Sequence, residues 1–343
     1  MTNKSEIKVA QYGVGPTGAR MIRLAHDKPG VRIVGGIDID PAKSGQDLGR
    51  VAGDSRKWKT AVSSDPTAVL ARYPDVVLHS TVSQVERAMN QILECVTAGA
   101  CVISTCEELS WPYAEHPDVA AAIDRAAKER GVAVLGTGVN PGFLMDRLPL
   151  YLTGVCQSVA RVNVTRIVDA SKRRLPLQKK VGAGMTRHEF LMGVKSGTIK
   201  HYGLPESARM LASDIGVGLD EVRESIRPVI ATHRVKTPFL TVEAGEVAGV
   251  HQVCTALYGS KVVVRLELKM YVGAKAPVDS IEILGEPNLK MKIPGGVHGD
   301  LATAAVVVNS IPWVLAAKPG LWTSADLPIR YFAGAANGKG EKS

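Results

Sequence analysis

The chain has 343 residues, 45% hydrophobic, 22% charged and only 5% aromatic, with a formal net charge of +9. That is length enough for two domains with an aliphatic core, and it excludes the disordered and fibrous classes. No apolar run reaches the roughly 18–20 residues of a membrane span, and only a few polar residues precede the first strand, so neither a membrane partner nor a secretory leader is expected.

The first half alternates short apolar runs with amphipathic segments. "IKVAQYG" reads as a strand and "PTGARMIRLAHDKPG" as a helix stopped by Pro29-Gly30. "VRIVGGIDID" is a second strand, "PTAVLARYP" a helix and "DVVLHST" a strand. "SQVERAMNQILECVTAGA" carries apolar residues at helical spacing; "CVIST" is a strand, "HPDVAAAIDRAAKERG" a helix and "VAVLGTG" a strand. Strands that alternate with helices of this length predict an α/β fold, a doubly wound parallel sheet covered on both faces, over residues 1–150.

After Leu150 the strands lengthen and alternate. "VARVNVTRIVD", "KVVVRLELKMYVG" and "DSIEILG" suit an open mixed sheet with one solvated face, with helices expected at "SARMLASDIG" and "LDEVRESIRPVIA". A second α+β domain for substrate and dimerisation is expected over 151–297. The apolar helix within "GDLATAAVVVNSIPWVLAA", about 298–318, is expected to pack back on the first domain, and 333–343 to be a flexible tail.

Gly13-Val14-Gly15-Pro16-Thr17-Gly18 follows a strand and opens a helix, the context that makes G-x-G-x-x-G a dinucleotide site. The first glycine allows the tight turn, the second lets a pyrophosphate approach the backbone, and the third lets helix and strand pack closely. Asp38 lies 20 residues past Gly18, where an acid accepts ribose hydroxyls. It favours NAD, while Arg20 and Lys43 are within reach of a 2′-phosphate, so the cofactor is read as NAD(P)H.

Ligands of parallel sheets bind beyond the carboxyl ends of the strands. The loaded ends are His79-Ser80-Thr81, Ser104-Thr105-Cys106-Glu107-Glu108 and Gly136–Gly142. Ser80, Thr81, Thr105 and Asn140 are therefore candidate cofactor contacts. Trp111, Phe143 and Met145 are candidates for an apolar wall, with plain core as the alternative.

These strand ends carry a resemblance. "VVLHSTVSQVERAMNQILECVTAGACVISTCEEL" resembles the matching stretch of dihydrodipicolinate reductase, whose Gly-Thr-Thr-Gly and Asn-Phe-Ser loops correspond to Ser104-Thr105-Cys106-Glu107 and Asn140-Pro141-Gly142. That enzyme's His-His-x-x-Lys pattern is missing here. "TCEELSWP", "GTGVNPGFLMD", "HYGLPES" and "GDLATAAVVVNSIP" are more similar to the branch holding 2,4-diaminopentanoate dehydrogenase and the native amine dehydrogenases, from Val9 to about Pro312. The resemblance implies NAD(P)H-dependent interconversion of an amine with a ketone or aldehyde plus ammonia. It also implies a catalytic glutamate in "CEEL", placed at Glu108 with Glu107 as the alternative, and His201 near the substrate.

A carboxylate suits that chemistry. It can take a proton from an ammonium or carbinolamine, return one to the departing hydroxyl, and stabilise an iminium as it forms. The basic stretch 161–200 holds ten Lys or Arg against Asp169 and Glu189, and it reads as a solvated segment, an anion contact or a nucleic-acid surface. No nucleic-acid motif accompanies it, so no nucleic-acid partner is expected. With no arginine at the strand ends, a substrate lacking a carboxylate is favoured, unless Arg161, Arg166 or Arg173 faces it. His79 is expected to bond backbone, and His201 and His298 have structural roles as alternatives. Gly182-Ala183-Gly184 reads as a mobile lid or a connector. Five cysteines with no C-x-x-C spacing point away from disulfides and metal and toward the cytoplasm, and a homodimer is expected through the sheet of the second domain. The rival class is an NAD(P)H-binding regulator without turnover.

Overall fold

The apolar runs of the first half pair side by side because each is too short and too uniformly hydrophobic to leave either face in water. The computed structural model describes residues 6–328, and it divides into two units. One runs to Phe143 and resumes at His298; the other is Leu144–Val297.

In the first unit the chain runs through β1 (Ile7–Tyr12), α1 (Pro16–His26), β2 (Val31–Ile37), α2 (Leu48–Val51), β3 (Val62–Ser63), α3 (Pro66–Leu70), β4 (Val76–His79), α4 (Val85–Thr97) and β5 (Cys101–Ser104). A 3-10 turn (Glu107–Ser110), α5 (Pro117–Arg130) and β6 (Ala133–Gly136) follow. The second unit holds α6 (Arg147–Thr153), β7 (Ser158–Asp169), α7 (Leu175–Lys180), α8 (Arg187–Lys195), α9 (Leu204–Asp214), β8 (Glu221–Ile230), β9 (Val235–Lys236) and β10 (Thr241–Val242). It continues with β11 (Val247–Tyr258), β12 (Lys261–Tyr271), β13 (Val278–Glu286) and β14 (Leu289–Pro294), before α10 (Gly299–Val314) and β15 (Gly320–Trp322) return to the first unit.

Among the described residues the first sheet has the order β15-β6-β5-β4-β1-β2-β3, every pair parallel. The order reverses beside β1, and a parallel sheet receives its ligand at such a switch point, here beyond the ends of β1 and β4. Met21, Ile22, Val307, Val308 and Ile311 from α1 and α10 cover one face; Val69, Ile92, Val96, Ile123 and Ala127 from α3, α4 and α5 cover the other. α10 is apolar along most of its length, with Val306, Val307, Val308 and Ile311 buried and Leu301 exposed near its start. The edge strands β3 and β15 escape a sequence reading because two or three residues carry no period.

The second sheet has the order β14-β13-β7-β12-β11-β8, with only β7 and β12 parallel. Alternation sends Val162, Val164 and Arg166 of β7 to the buried face, with Leu266, Leu268 and Cys254, and leaves Arg161, Asn163 and Thr165 on the other. One expected helix is corrected: "LDEVRESIRPVIA" contains β8 instead. Val222, Ile226 and Ile230 recur every fourth residue, which satisfies a helix and a strand equally. Pro228 disfavours a helix interior, and pairing with β11 decides. Gly182-Ala183-Gly184 is tied down: Ala183 is buried, the Gly184 amide donates to Val247, and Phe190 packs on Gly182. The expected tail at 333–343 lies outside the described residues.

Candidate active site

The glycine loop is shaped by what a side chain would strike. A Cβ on Gly18 would lie 1.9 Å from the Gly13 carbonyl oxygen, and one on Gly13, whose φ is +82°, would lie 2.5 Å from that of Ser80. A Cβ on Gly15 would meet nothing within 4 Å. Two glycines therefore hold the turn and the middle one keeps a space open, which is where a pyrophosphate needs the backbone bare. Pro16, which has no N–H to leave unpaired, begins α1, and with no side-chain cap the Thr17 and Gly18 amides remain for a ligand at the helix N-terminus.

Buried Gln11, the polar residue inside β1, locks the loop from below. Its Nε2 donates to the Gly13 carbonyl at 3.0 Å and to Ser80 Oγ at 2.9 Å, and Ser80 Oγ donates to the Gly13 carbonyl at 3.0 Å. Sequence reasoning missed Gln11; the signal was an amide in the apolar run that leads straight into the glycine loop.

Asp38 stands just past β2. Its Oδ2 accepts from the Val14 amide at 2.8 Å and from Lys43 Nζ at 2.9 Å, and its Oδ1 accepts from the Asp40 amide at 2.9 Å. Burial pushes this carboxyl up, but the Asp40 amide, Lys43 and the Val14 amide outweigh it and hold it below the ordinary range.

At the ends of β4 and β5 a buried polar chain sets the geometry. Gln91 Oε1 only accepts, so His79 Nε2 donates to it at 2.9 Å and Nδ1 accepts from Ser104 Oγ at 2.9 Å. His79 thus bonds side chains rather than the backbone expected for it, and Gln91 was not foreseen. Burial pushes the imidazole down to about 4 and keeps it neutral. Thr81 Oγ1 donates to the same Gln91 oxygen at 2.6 Å, and the Thr105 amide donates to the His79 carbonyl at 2.9 Å.

The two glutamates open the 3-10 turn, which lies flat on β6: a Cβ on Gly136 would be 2.3 Å from the Leu109 carbonyl oxygen. Glu108 Oε2 accepts from the Val85 amide, the first of α4, at 2.9 Å, and His116 Nε2 lies 3.4 Å from the same oxygen. The Glu108 side chain is 15% exposed. Glu107 sits beside it, and its carbonyl accepts from Ser110 Oγ at 2.7 Å.

Asn140, in the loop after β6, has both side-chain amide atoms buried without a hydrogen-bond partner in the protein. A buried unsatisfied amide is costly, so this one calls for a ligand that both donates and accepts. The carboxamide of a nicotinamide does both. With the bare Gly15 and the anchored Asp38, the residues present fit a nicotinamide dinucleotide laid across the carboxyl edge.

The apolar candidates differ. Trp111 is half-buried, edge-on to Tyr113 with ring centroids 5.1 Å apart. Phe143 is the half-buried last residue before the second unit, and Met145 is fully buried core.

His201 belongs to the second unit. Its Nδ1 lies 2.8 Å from the Tyr202 carbonyl, and its backbone exchanges two hydrogen bonds with the Gln252 side chain. Burial, with the Lys180 and Arg166 charges added, pushes it down to about 4. Nearby, Arg166 donates to the Val297 carbonyl at 2.7 Å and lies 3.2 Å from Asp279. Arg166 is 3% and Arg173 8% exposed, and each feels the other's charge. Arg161 points to the opposite sheet face, bonded to Asn163. His298 is exposed at the start of α10.

Comparison with known proteins agrees with this geometry. The family profile described as the 2,4-diaminopentanoate dehydrogenase C-terminal domain matches residues 143–338. A 2,4-diaminopentanoate dehydrogenase of Acetoanaerobium sticklandii is 34% identical over 341 residues, covering 94% of each chain. An amine dehydrogenase of Streptomyces virginiae is 27% identical, covering 94% of this chain and 97% of that one. The structure of an amine dehydrogenase from Mycobacterium smegmatis superposes with a TM-score of 0.85 at 28% identity, covering 96% of this chain and 98% of that one. Dihydrodipicolinate reductase from Paenisporosarcina, at 13% identity and a TM-score of 0.52, shares the fold, over 94% of this chain and all of that one. The expected branch is borne out: the chain belongs to the 2,4-diaminopentanoate dehydrogenase family and is an NAD(P)-dependent oxidoreductase.

Proposed function

We propose that this protein is an NAD(P)-dependent amine dehydrogenase, joining ammonia to a ketone or aldehyde and running the reverse oxidative deamination. In the oxidative direction an alkylammonium, NAD(P)+ and water give a carbonyl compound, ammonium, NAD(P)H and a proton. The observation that carries the reading is Glu108, a carboxylate at the tip of β5, anchored through one oxygen with the other left for a substrate. The nicotinamide supplies or accepts the hydride. Glu108 takes the proton that the nitrogen must lose, returns one to the departing hydroxyl, and offsets the iminium charge. Glu107, one residue earlier on the same turn, is the other candidate for the proton steps. Asn140 holds the carboxamide, Ser80, Thr81 and Thr105 line the cleft, and Trp111 and Phe143 contact substrate.

A second reading concerns the substrate. The relative from Acetoanaerobium sticklandii, 34% identical over 94% of each chain, is named for a diamino acid. That favours an amine that also bears a carboxylate, as 2,4-diaminopentanoate does. The half-exposed face of the second sheet, with Asn163, Thr165, Val253 and Thr255, supports a homodimer, and five free cysteines support a cytoplasmic location.

The deciding experiment follows NAD(P)H absorbance with ammonia plus cyclohexanone or a short aldehyde, and separately with 2,4-diaminopentanoate and NAD(P)+. Turnover with simple carbonyls supports the first reading, and turnover confined to the diamino acid supports the second. Cofactor binding with no turnover on any of them defeats both.

A further inference from the structure

Asp38 does not stand alone where the ribose of a bound adenosine belongs. A carboxylate offers about four acceptor directions, and the Val14 amide, the Asp40 amide and Lys43 Nζ already take three of them. Lys43 Nζ lies 2.9 Å from Asp38 and 3.5 Å from Asp40, with its side chain 26% exposed. The ammonium has three N–H groups and faces two carboxylates, so one N–H remains for a ligand.

The lysine is placed by its backbone rather than hung on a loose stem. Its amide donates to the Asp40 carbonyl at 2.9 Å, the Ala42 amide donates to Asp40 Oδ1 at 3.0 Å, and the Gly45 amide donates to the Val62 carbonyl of β3 at 2.9 Å. The segment between β2 and β3 is thus a pinned turn. Ile39, between the two acids, is 86% exposed and offers no charge of its own.

An acid in this position ordinarily repels a 2′-phosphate. We propose that Lys43 cancels that repulsion, so that the site takes NADPH as well as NADH. With NADH, Asp38 keeps its remaining acceptor direction for a ribose hydroxyl. With NADPH, the Lys43 ammonium turns its remaining N–H to the 2′-phosphate, while the Val14 and Asp40 amides hold Asp38 in place. Without Lys43, a dianion there meets Asp38 and Asp40 with no ammonium between them. This rests on the reading of the cleft as a nicotinamide dinucleotide site.

The test is direct titration of the full-length chain with NADH and with NADPH, followed by cofactor fluorescence and needing no turnover. The wild type is expected to bind both, and rising salt to weaken NADPH more than NADH. Lys43→Met is expected to raise the ratio of the NADPH to the NADH dissociation constant about tenfold or more. Lys43→Arg is expected to hold that ratio within about threefold. An unchanged ratio in Lys43→Met overturns the proposal, as does a wild type that binds only one of the two. Should circular dichroism show that Lys43→Met does not fold, Lys43→Gln carries the same test. A wild type that binds neither cofactor defeats the dinucleotide reading itself, a separate outcome.

Discussion

The carboxylate of Glu108 and the amide of Val85, 23 residues apart, are joined by a 2.9 Å hydrogen bond. α4 has no side-chain cap of its own, since Gln84 supplies none, and Glu108 fills that place from the 3-10 turn after β5. The bond fixes the carboxylate before any substrate arrives. It also places a negative charge at the positive end of a 13-residue helix.

Substituting Glu108 separates the two roles. A glutamine carbonyl can still accept from Val85, so Glu108→Gln is expected to fold normally and lose about 10²–10⁴ in turnover. Glu108→Ala also gives up the cap and is expected to lose about 1 kcal/mol in urea unfolding. Glu107→Gln is expected to cost less turnover than Glu108→Gln. Full-speed NAD(P)H oxidation by Glu108→Gln would remove the carboxylate from the mechanism.

Asn140 offers a test without catalysis. Its amide is unsatisfied in the free protein, so Asn140→Leu, with the same branched shape, is expected to leave the free chain as stable or more stable by about 1 kcal/mol. The same change is expected to shrink the rise in melting temperature produced by NAD(P)H. An undiminished rise would separate Asn140 from the cofactor.

The two glycines predict opposite failures. Gly15→Ala has room for its methyl group and is expected to fold with a near-normal melting temperature but bind NAD(P)H at least about tenfold more weakly. Gly18→Ala would drive a Cβ into the Gly13 carbonyl and the Gln11 amide, and is expected to lower the melting temperature first. Equal effects of both on stability would contradict the loop's reading.

Acid should unfold the protein through its buried imidazoles. His79 and His201 are held down to about 4, from an ordinary value near 6.5. In that window the unfolded chain binds more protons, so stability is complete above about 6.5 and falls as the pH drops toward 4, by on the order of 3 kcal/mol for each. Urea midpoints across that range should fall, and His79→Gln should flatten the fall. A midpoint that rises on acidification would reverse the sign and defeat the argument.

Much of the first unit was legible from local pattern. A glycine loop between strand and helix, an acid 20 residues on, and apolar runs too uniform for a one-faced sheet are each contained in a short window. β8 was misread within such a window because its four-residue spacing satisfies two periods. Only pairing with β11, contributed by residues 247–258, chose between them.

The amino-acid sequence by itself determined which residues could do chemistry and which edge of the sheet they would reach, because strand direction and side-chain alternation follow from neighbours along the chain. Tertiary structure alone decided their partners. That Glu108 caps α4, that His79 bonds Gln91 and Ser104, and that Lys43 covers Asp38 depend on atoms brought within 3 Å by folding. Hydrogen bonds and ion pairs act over ångströms in space, and no spacing along a sequence records them.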